Sequence, residues 1–344
     1  MHLTAGPPAR PHRPARLVTG PVLVVVLALF LLVRLAGDAG AATATSEAPP
    51  VPAAAGADAV PDTGPDTGPE ARDLGYGDAI VLGVVEGVTE YLPVSSTGHL
   101  LVAGRLLGVD GTDAFDSYAI AIQAGAILAV AGLYHRRIRS VLLGVVGRDE
   151  DGRRLAINLV VAFVPAAVIG VVLEGPIKDR LFQPWAIAVA WAVGGVVVLL
   201  TEQRSRRRSF GGRELDELTV RMAFIVGCCQ AFALWPGTSR SLVTILAGLA
   251  LGLKVSAAVE LSFLLGLLTL GAATAYETLS NGSVMLETYG AARPLVGLVA
   301  ATISAVVAVR WMIGWLQSRG LALFGWYRLG AAAVLVALLA TGAL

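Results

Sequence analysis

Charged residues are scarce in this sequence. They make up 15% of its 344 residues, whereas an average soluble domain carries roughly 25%. Hydrophobic residues make up 56%, and many of them are gathered into long apolar runs separated by short polar loops. This composition excludes an ordinary soluble domain and indicates an integral membrane protein.

Cysteine is almost absent as well. The two cysteines, Cys228 and Cys229, are adjacent in an apolar stretch, a spacing that neither a zinc site nor a redox CxxC motif uses. We interpret them as small hydrophobic residues. The net charge of +1 carries no information about partners, and the basic run 205–209 (SRRRS) is typical of a cytoplasmic loop of a membrane protein. We therefore expect no nucleic-acid partner.

The first 75 residues differ from the rest of the chain. Their apolar run, 21–33, follows three arginines and is shorter than the roughly 20 residues of a comfortable membrane span. Residues 1–36 are therefore predicted to form a signal anchor or a cleaved signal peptide. Both alternatives export residues 37–75, whose Ala/Pro/Gly-rich composition and repeated PDTG predict a disordered external linker. Residues 76–344 are predicted to be the membrane-embedded domain.

Lysine and arginine are placed unevenly between the apolar segments of this domain. Loops 135–154 and 202–221 are strongly basic, and the arginines of 310–328 form a third basic region, so we place all three in the cytoplasm. Loops 108–116 and 277–292 contain neither residue and are placed outside. Segments 77–107 and 221–252 must then each enter and leave the membrane on one face, as re-entrant pairs of broken helices. Six spans remain, at about 117–134, 155–173, 185–201, 256–276, 294–316 and 326–343.

The two re-entrant segments resemble each other in sequence. Each has a proline midway, then hydroxyl residues, then a small and apolar helix. Their alignment pairs Pro93 with Pro236, Ser95 with Thr238 and Ser96 with Ser239. The predicted fold class is an all-α polytopic membrane protein of two inverted repeats, each a re-entrant broken-helix hairpin followed by three transmembrane helices. Non-helical backbone at membrane depth is tolerated where it lines a cavity, so we expect the breaks to form a site.

Two carboxylates precede the first break. Glu86 and Glu90 are four residues apart and share one helix face. Ionisable residues inside a membrane segment are costly and indicate function by default. Two carboxylates this close either share a proton or hold a divalent cation. Since no cysteine or paired histidine is at hand, the expected cation is Mg²⁺ or Ca²⁺, with Glu86 and Glu90 as its ligands.

Hydroxyl residues and an arginine follow the breaks. Ser95, Ser96 and Thr97 can cap a new helix, and a helix N-terminus with such caps is a ready anion site. The second hairpin repeats this arrangement in the run 236–239 (PGTS), followed by Arg240, whose planar guanidinium suits bidentate phosphate recognition. His99 is a candidate general acid or base. This assembly predicts binding and hydrolysis of a phosphate carried on a lipid.

Two of these stretches carry a family resemblance. EGVTEYLPVSSTGHL (86–100) and LWPGTSRS (234–241), with IQAGAILAV (122–130) and ELSFLL (260–265), closely resemble the bacterial undecaprenyl-diphosphate phosphatase family, also called the bacitracin-resistance proteins. The resemblance runs from about Asp78 to the C-terminus. One departure is Leu242, where the family usually has glycine, and this residue puts the local backbone approach in doubt.

The resemblance implies an activity and a set of site residues. The activity is removal of the terminal phosphate of undecaprenyl diphosphate, which recycles the carrier lipid for cell-wall synthesis and confers bacitracin resistance at the bacterial cell membrane. The implied catalytic residues are Glu86, Glu90, Ser96, His99 and Arg240, with Ser96 and His99 as the proposed catalytic pair. The residues assigned to substrate binding are Ser95, Thr97, Gly98, Gln123, Gly237, Thr238, Ser239 and Ser241.

Several alternatives stay open at this point. Ser96 attacks phosphorus with His99 as its base, or a metal-held water attacks while Ser96 only binds. The rival function is a polyprenyl-phosphate transporter or flippase, because inverted repeats with broken helices are also a transporter architecture. The expected partners are a polyprenyl diphosphate lipid and the membrane itself. One assembly state that we consider for the protein is a homodimer.

The placement of the basic loops can be tested by labelling. In a background whose two native cysteines are replaced by serine, Arg206→Cys should react with an impermeant thiol reagent only after the cells are opened. Asp113→Cys should react in intact cells, because its loop contains no Lys or Arg. Labelling of Arg206→Cys from outside would contradict the inverted-repeat topology.

Overall fold

The computed structural model describes residues 73–205 and 212–342. The calls on residues 1–36, and on nearly all of 37–75, lie outside this described part. Most of the described residues are helical, and their β-structure is limited to one isolated bridge between Arg213 and Leu253. The predicted all-α class is confirmed.

Eleven α-helices occur in the described residues. They are α1 (Tyr76–Thr89), α2 (Ser96–Leu107), α3 (Asp113–Leu133), α4 (His135–Val145), α5 (Glu150–Leu181), α6 (Pro184–Ser205), α7 (Val220–Gln230), α8 (Arg240–Ala250), α9 (Val255–Tyr289), α10 (Ala292–Arg319) and α11 (Ala322–Ala340). Two short 3₁₀ turns, Leu215–Glu217 and Ala231–Leu234, lie before and after α7.

Six of these helices are long and apolar enough to cross a membrane, namely α3, α5, α6, α9, α10 and α11. The chain is therefore a multi-pass membrane protein, as its composition predicts. Helices α1, α2, α7 and α8 have only 14, 12, 11 and 11 residues. At a rise of about 1.5 Å per residue, none of them reaches the roughly 30 Å of a bilayer core. They are the two pairs of short helices on either side of the predicted breaks.

Each half of the chain packs its first short helix against a span of the other half. Helix α1 packs along α10, and α7 packs along α5. Both approaches are made at a glycine: an added Cβ on Gly83 would lie 3.0 Å from the Gly297 carbonyl carbon, and one on Gly227 would lie 2.9 Å from Ala162 Cα. This exchange is what a repeated plan predicts. The opposite orientation of the halves in the membrane stays a prediction.

Two loops drawn from the sequence are partly helical. The basic loop 135–154 contains α4 and the start of α5, with Asp149 at the junction. Asp149 accepts hydrogen bonds from the Gly152 amide (2.9 Å) and from Ser140 Oγ (2.6 Å). These bonds, the amide first, lower the pKa of the Asp149 carboxyl, because each stabilises the charged form. The acidic aspartate thus caps the N-terminus of a membrane-spanning helix.

The segment 277–292, predicted to be an external loop, is instead helical over most of its length, and its external placement stays a prediction. Helix α9 continues to Tyr289. Met285 and Tyr289 are buried in a cluster that also contains Phe115 and Tyr118, and the Tyr118 and Tyr289 rings meet edge to face at 6.2 Å. Polar residues at 277–281 suggested a loop, but apolar residues at helical spacing tie the extension to α3.

Candidate functional site

Both helix breaks use the same unusual backbone conformation. Ser95 has φ 78° and ψ 106°, and Ser239 has φ 73° and ψ 113°. They are the only residues other than glycine with positive φ among those the structure describes. Each lies directly before a helix, α2 or α8. A non-glycine residue in this region costs roughly 1–3 kcal/mol and is held there by its surroundings.

This conformation corrects the alignment of the two hairpins by one residue. The sequence comparison paired Ser96 with Ser239 and Pro93 with Pro236. The backbone instead pairs Ser95 with Ser239, and therefore Ser96 with Arg240 and Pro93 with Gly237. The prolines were aligned because they are the most conspicuous residues, although they occupy different positions in the two turns. Ser96 and Arg240 are thus the equivalent first residues of α2 and α8.

Glu90 is the point at which the two breaks meet. Ser96 Oγ donates a hydrogen bond to Glu90 Oε2, and Arg240 Nη2 donates to Glu90 Oε1 at 3.1 Å. The Glu90 and Arg240 side chains are only 6% and 11% exposed. The first residues of α2 and α8 therefore both contact one buried carboxylate.

The Arg240 guanidinium is held on several sides. Its Nη1 donates to the Ser262 carbonyl at 3.0 Å, and its Cζ lies 5.4 Å from the centre of the Tyr91 ring, within the range of a cation–π contact. Gly266 leaves room for it, since an added Cβ there would lie 2.7 Å from Arg240 Cζ. Arg240 Nε is buried without a hydrogen-bond partner. The Nε–H of this fixed guanidinium is therefore a donor still available to an anion.

Glu86 lies one helical turn before Glu90 and is fully buried. Neither of its carboxylate oxygens has a hydrogen-bond partner. Gln230, at the equivalent position of the second hairpin, is also buried, and both of its side-chain polar atoms lack a partner. Buried polar groups without partners are rare in folded proteins and call for a ligand, a proton or an ordered water. The sequence analysis identified Glu86 but missed Gln230.

The other hydroxyls of the second break mainly join the two breaks together. Ser241 Oγ donates to the Leu92 carbonyl at 2.9 Å, and it lies 3.0 Å from Ser239 Oγ. Ser239 Oγ also accepts from the Leu242 amide at 3.2 Å, which caps α8 as predicted. The Leu242 side chain is buried in the main apolar cluster, so the residue in place of the family's usual glycine fits the first turn of α8.

Ser95 does not cap α2 through its side chain. Its carbonyl instead accepts from His99 Nδ1 at 2.6 Å. Because a carbonyl oxygen only accepts, Nδ1 carries the proton, and His99 Nε2 in the neutral ring accepts from the Tyr327 hydroxyl at 2.7 Å. The ring also packs against Trp191 with its centre 4.7 Å away. Both ring nitrogens are thus bonded to groups other than Ser96, and Ser96 is bonded to Glu90.

The remaining predicted binding residues are placed less uniformly. Thr97 is exposed, and Gly98 packs against Trp191, where an added Cβ would lie 2.8 Å from Cζ2. In the second turn, Gly237 has φ 90° and the Thr238 amide donates to the Trp235 carbonyl at 3.1 Å. Gln123 is half-buried on α3, and no hydrogen bond within the described residues joins it to the other site residues.

Arg328 was misassigned from the sequence. It was counted in the third cytoplasmic basic region, but it is fully buried on α11. Its guanidinium donates to the carbonyls of Gly237 (2.7 Å) and Ala190 (2.8 Å). A charged residue in an apolar span is a signal that could have identified it. It was overlooked because it was grouped with Arg310 and Arg319 as one basic region.

The chain matches the family model described as "Bacitracin resistance protein BacA" over residues 79–334. It is 43% identical over 261 residues to the undecaprenyl-diphosphatase of Sorangium cellulosum, which covers 75% of this chain and 85% of the relative. It is 44% identical over 255 residues to the undecaprenyl-diphosphatase of Herminiimonas arsenicoxydans, covering 73% of this chain and 90% of that one. It is 43% identical to undecaprenyl-diphosphatase 2 of Rhodospirillum rubrum, covering 75% and 93%.

The strained serines provide a matched pair for a stability test. Ser95→Gly should leave the free energy of unfolding unchanged or raise it, because glycine relieves strain of roughly 1–3 kcal/mol and no side-chain cap is lost. Ser239→Gly gains the same relief but loses the cap on Leu242, which costs roughly a few tenths of a kcal/mol when glycine replaces a serine cap. Unfolding in detergent should therefore rank Ser95→Gly above Ser239→Gly. The reverse order would contradict the structural role given to the Ser239 hydroxyl.

Proposed function

The chain belongs to the bacitracin resistance protein BacA family, and on that premise we propose that it is an undecaprenyl-diphosphatase. The reaction takes undecaprenyl diphosphate and water to undecaprenyl phosphate and inorganic phosphate. It recycles the carrier lipid for cell-wall synthesis and accounts for the bacitracin resistance that gives the family its name. The curated relatives carry the name of this activity.

The observation that carries the proposal is the shared Glu90 carboxylate. It accepts from the hydroxyl of Ser96 and from the guanidinium of Arg240. A hydroxyl bonded to a carboxylate is oriented to lose its proton as it attacks, and a neighbouring arginine suits phosphate oxygens. A buried site of this kind, between spans of a membrane protein, fits a phosphate attached to a lipid.

The steps follow from this geometry. Ser96 Oγ attacks the terminal phosphorus while its proton passes to Glu90. The bond between that phosphorus and the bridging oxygen breaks, and undecaprenyl phosphate leaves. Water then forms a bond to the phosphorus, the bond to Ser96 Oγ breaks, Ser96 Oγ takes its proton back from Glu90, and inorganic phosphate leaves. Arg240 stabilises the charge that spreads over the phosphoryl oxygens. The alternative, in which water attacks directly and Ser96 only binds, uses the same groups.

His99 takes a different part in this scheme from the one its sequence position suggested. Its two nitrogens are bonded to the Ser95 carbonyl and the Tyr327 hydroxyl, so we assign proton acceptance from Ser96 to Glu90. His99 holds the turn that presents Ser96. Its own role as an acid or base stays a proposal and requires release from one of these two bonds.

The geometry also bears on the rival function. A lipid-phosphate carrier needs an anion site but no nucleophile held against a proton acceptor. The hydrogen bond between Ser96 and Glu90 supplies such a pair and therefore favours hydrolysis over transport.

The proposal also covers the location of the protein, its domains and its assembly. We place the protein in the bacterial plasma membrane. Residues 76–344 are its enzymatic domain, and residues 1–36 and 37–75 are an anchor or signal segment and an external linker. We also propose a homodimer, because two-fold assemblies are the commonest among oligomeric proteins.

We propose in addition that a divalent cation, Mg²⁺ or Ca²⁺, assists the reaction. The two unpartnered oxygens of Glu86 fit such an ion, since Mg²⁺ often binds through one or two carboxylates together with substrate phosphates. The ion would neutralise phosphate charge. Each Glu90 oxygen accepts one hydrogen bond, from Ser96 or from Arg240, and keeps a second lone pair with which Glu90 could join Glu86 as a ligand. In the described residues, no three His, Cys, Asp or Glu side chains cluster as a ready metal site.

Purified protein in nanodiscs should release phosphate from undecaprenyl diphosphate, and Arg240→Lys should lose most of that activity, about 100-fold in kcat/KM. Lysine keeps the charge but cannot reach Glu90, the Ser262 carbonyl and a phosphate oxygen with one planar group. Arg319→Lys, at the end of α10, is the matched control and should be unaffected. Wild-type protein without phosphate release would overturn the proposed function. Activity of Arg240→Lys within about twofold of wild type would reduce Arg240 to a structural part.

The cation is tested by chelation. Extensive chelation should abolish activity, and added Mg²⁺ or Ca²⁺ should restore it. Glu86→Gln should require much more metal or stay inactive, because the amide is nearly isosteric but is a poorer ligand for a hard cation. Glu287→Gln, an exposed carboxylate on α9, should behave as wild type. Full activity in metal-free protein, falling as pH rises, would instead indicate that Glu86 and Glu90 share a proton and that the protonated carboxyl acts as an acid.

A further inference from the structure

Arg328 is the largest fully buried side chain among the described residues. It lies on α11, inside an apolar span. Its guanidinium donates to three backbone carbonyls: Gly237 at 2.7 Å, Ala190 at 2.8 Å and Pro93 at 3.4 Å. No carboxylate in residues 73–205 or 212–342 forms an ion pair with it. A charge placed in this way is costly and calls for a purpose.

The carbonyl groups that Arg328 bonds include one from each helix break. Pro93 and Gly237 are equivalent positions in the two breaks, and each lies two residues before a strained serine, Ser95 or Ser239. Ala190 belongs to α6, which packs along α11. Carbonyls freed by a helix break at membrane depth have no bulk water to bond and need protein donors. One planar guanidinium supplies a donor to both breaks at once.

The surrounding helix is shaped for this group. An added Cβ on Gly194 of α6 would lie 2.7 Å from Arg328 Nε and 2.8 Å from its Cζ. The preceding residue, Tyr327, bonds His99, and His99 in turn bonds the Ser95 carbonyl. Helix α11 therefore reaches the first break through two adjacent residues and reaches the second break through Arg328.

We propose that Arg328 is a positioning residue that fixes the two breaks relative to each other, so that Ser96 and Arg240 converge on Glu90. The effect on the reaction rests on the proposed function, whereas the connection between the breaks does not. The planar fork is required, since Arg328 reaches the three carbonyls from two nitrogens, whereas all three donors of a lysine ammonium leave a single nitrogen.

Two variants disturb Arg328 in different ways. Arg328→Lys keeps a positive charge but loses the fork. Gly194→Ala keeps the arginine and displaces its guanidinium. Gly195→Ala is the matched control on the same helix: its added Cβ would meet the Gly325 carbonyl oxygen at 2.8 Å and Leu329, not Arg328. If Arg328→Lys fails to fold, Gly194→Ala decides the question by itself.

The direct readout is amide hydrogen exchange in the two breaks, measured on full-length protein in nanodiscs. The Val94 and Thr238 amides are bonded within their turns, to the carbonyls of Leu92 and Trp235, and report whether each turn opens. Arg328→Lys and Gly194→Ala should each speed amide exchange in peptides covering 91–97 and 234–241 by at least about 10-fold. Both breaks should respond, because each variant disturbs the one guanidinium that bonds a carbonyl of each break. Exchange in α9 and α10 should stay as in wild type, and Gly195→Ala should change neither break.

The kinetic readout separates positioning from simple structural support. Both variants should lower kcat by about 30- to 100-fold, as expected when a reacting group is misplaced by about 1 Å, with KM within about threefold of wild type and the unfolding midpoint retained. Faster exchange in one break alone or in neither, the same effect from Gly195→Ala, or unchanged kcat with both breaks loosened would each overturn the proposal. A wild-type protein that releases no phosphate would overturn the proposed function, and the exchange data would still decide whether Arg328 joins the breaks.

Discussion

One buried carboxylate organises this molecule. Glu90 receives a hydroxyl from α2 and a guanidinium from α8, the first residues of two helices that start inside the protein. Breaking a buried ion pair by removing one partner costs roughly 3–5 kcal/mol, which is a large fraction of a protein's stability. That interaction is possible only because each chain segment stops being helical inside the protein. Two features stabilise these two helix breaks against the strained backbone of Ser95 and Ser239. They are the hydroxyl hydrogen bonds of Ser239 and Ser241, and the close glycine contacts of α1 and α7.

The buried charges of the breaks form a nearly neutral set before any substrate binds. Glu90 and Arg240 are paired, Arg328 is surrounded by carbonyl dipoles, and Glu86 has no partner for its oxygens. An arriving diphosphate adds several negative charges to a place where each is expensive. Arg240 Nε is one donor available to it, and a cation or proton at Glu86 would be a second source of compensation. Binding of the negatively charged diphosphate therefore requires a compensating positive charge or proton in the site.

The sequence was sufficient to predict the membrane spans and several of the candidate site residues. Apolar length located the six spans, and the uneven Lys/Arg distribution indicated two segments that could not cross. Glu90, Ser96 and Arg240 were identified as site residues from their chemistry. Three points needed coordinates. A run of hydroxyl residues does not indicate which of them adopts a positive φ, so the sequence alignment of the two hairpins was wrong by one residue. A histidine three residues from a serine looks like its base, yet a helix turn directs the ring to Ser95 and Tyr327. A charge inside an apolar span indicates that Arg328 is buried, but not that it bonds the carbonyls of Gly237 and Ala190.

The equivalence of Ser96 and Arg240 has a consequence for which bond is cut. Two copies of one backbone turn face each other, and a perfectly two-fold pocket would accept a diphosphate in either direction with equal ease. Here one turn ends in a small hydroxyl and the other in a long cation, and the acid Glu86 is matched by the uncharged Gln230. The two ends of a diphosphate therefore meet different chemistry. Divergence between the two breaks therefore makes the two sides of the site chemically different, so a diphosphate bound there would meet a hydroxyl and a carboxylate on one side and a guanidinium and an amide on the other.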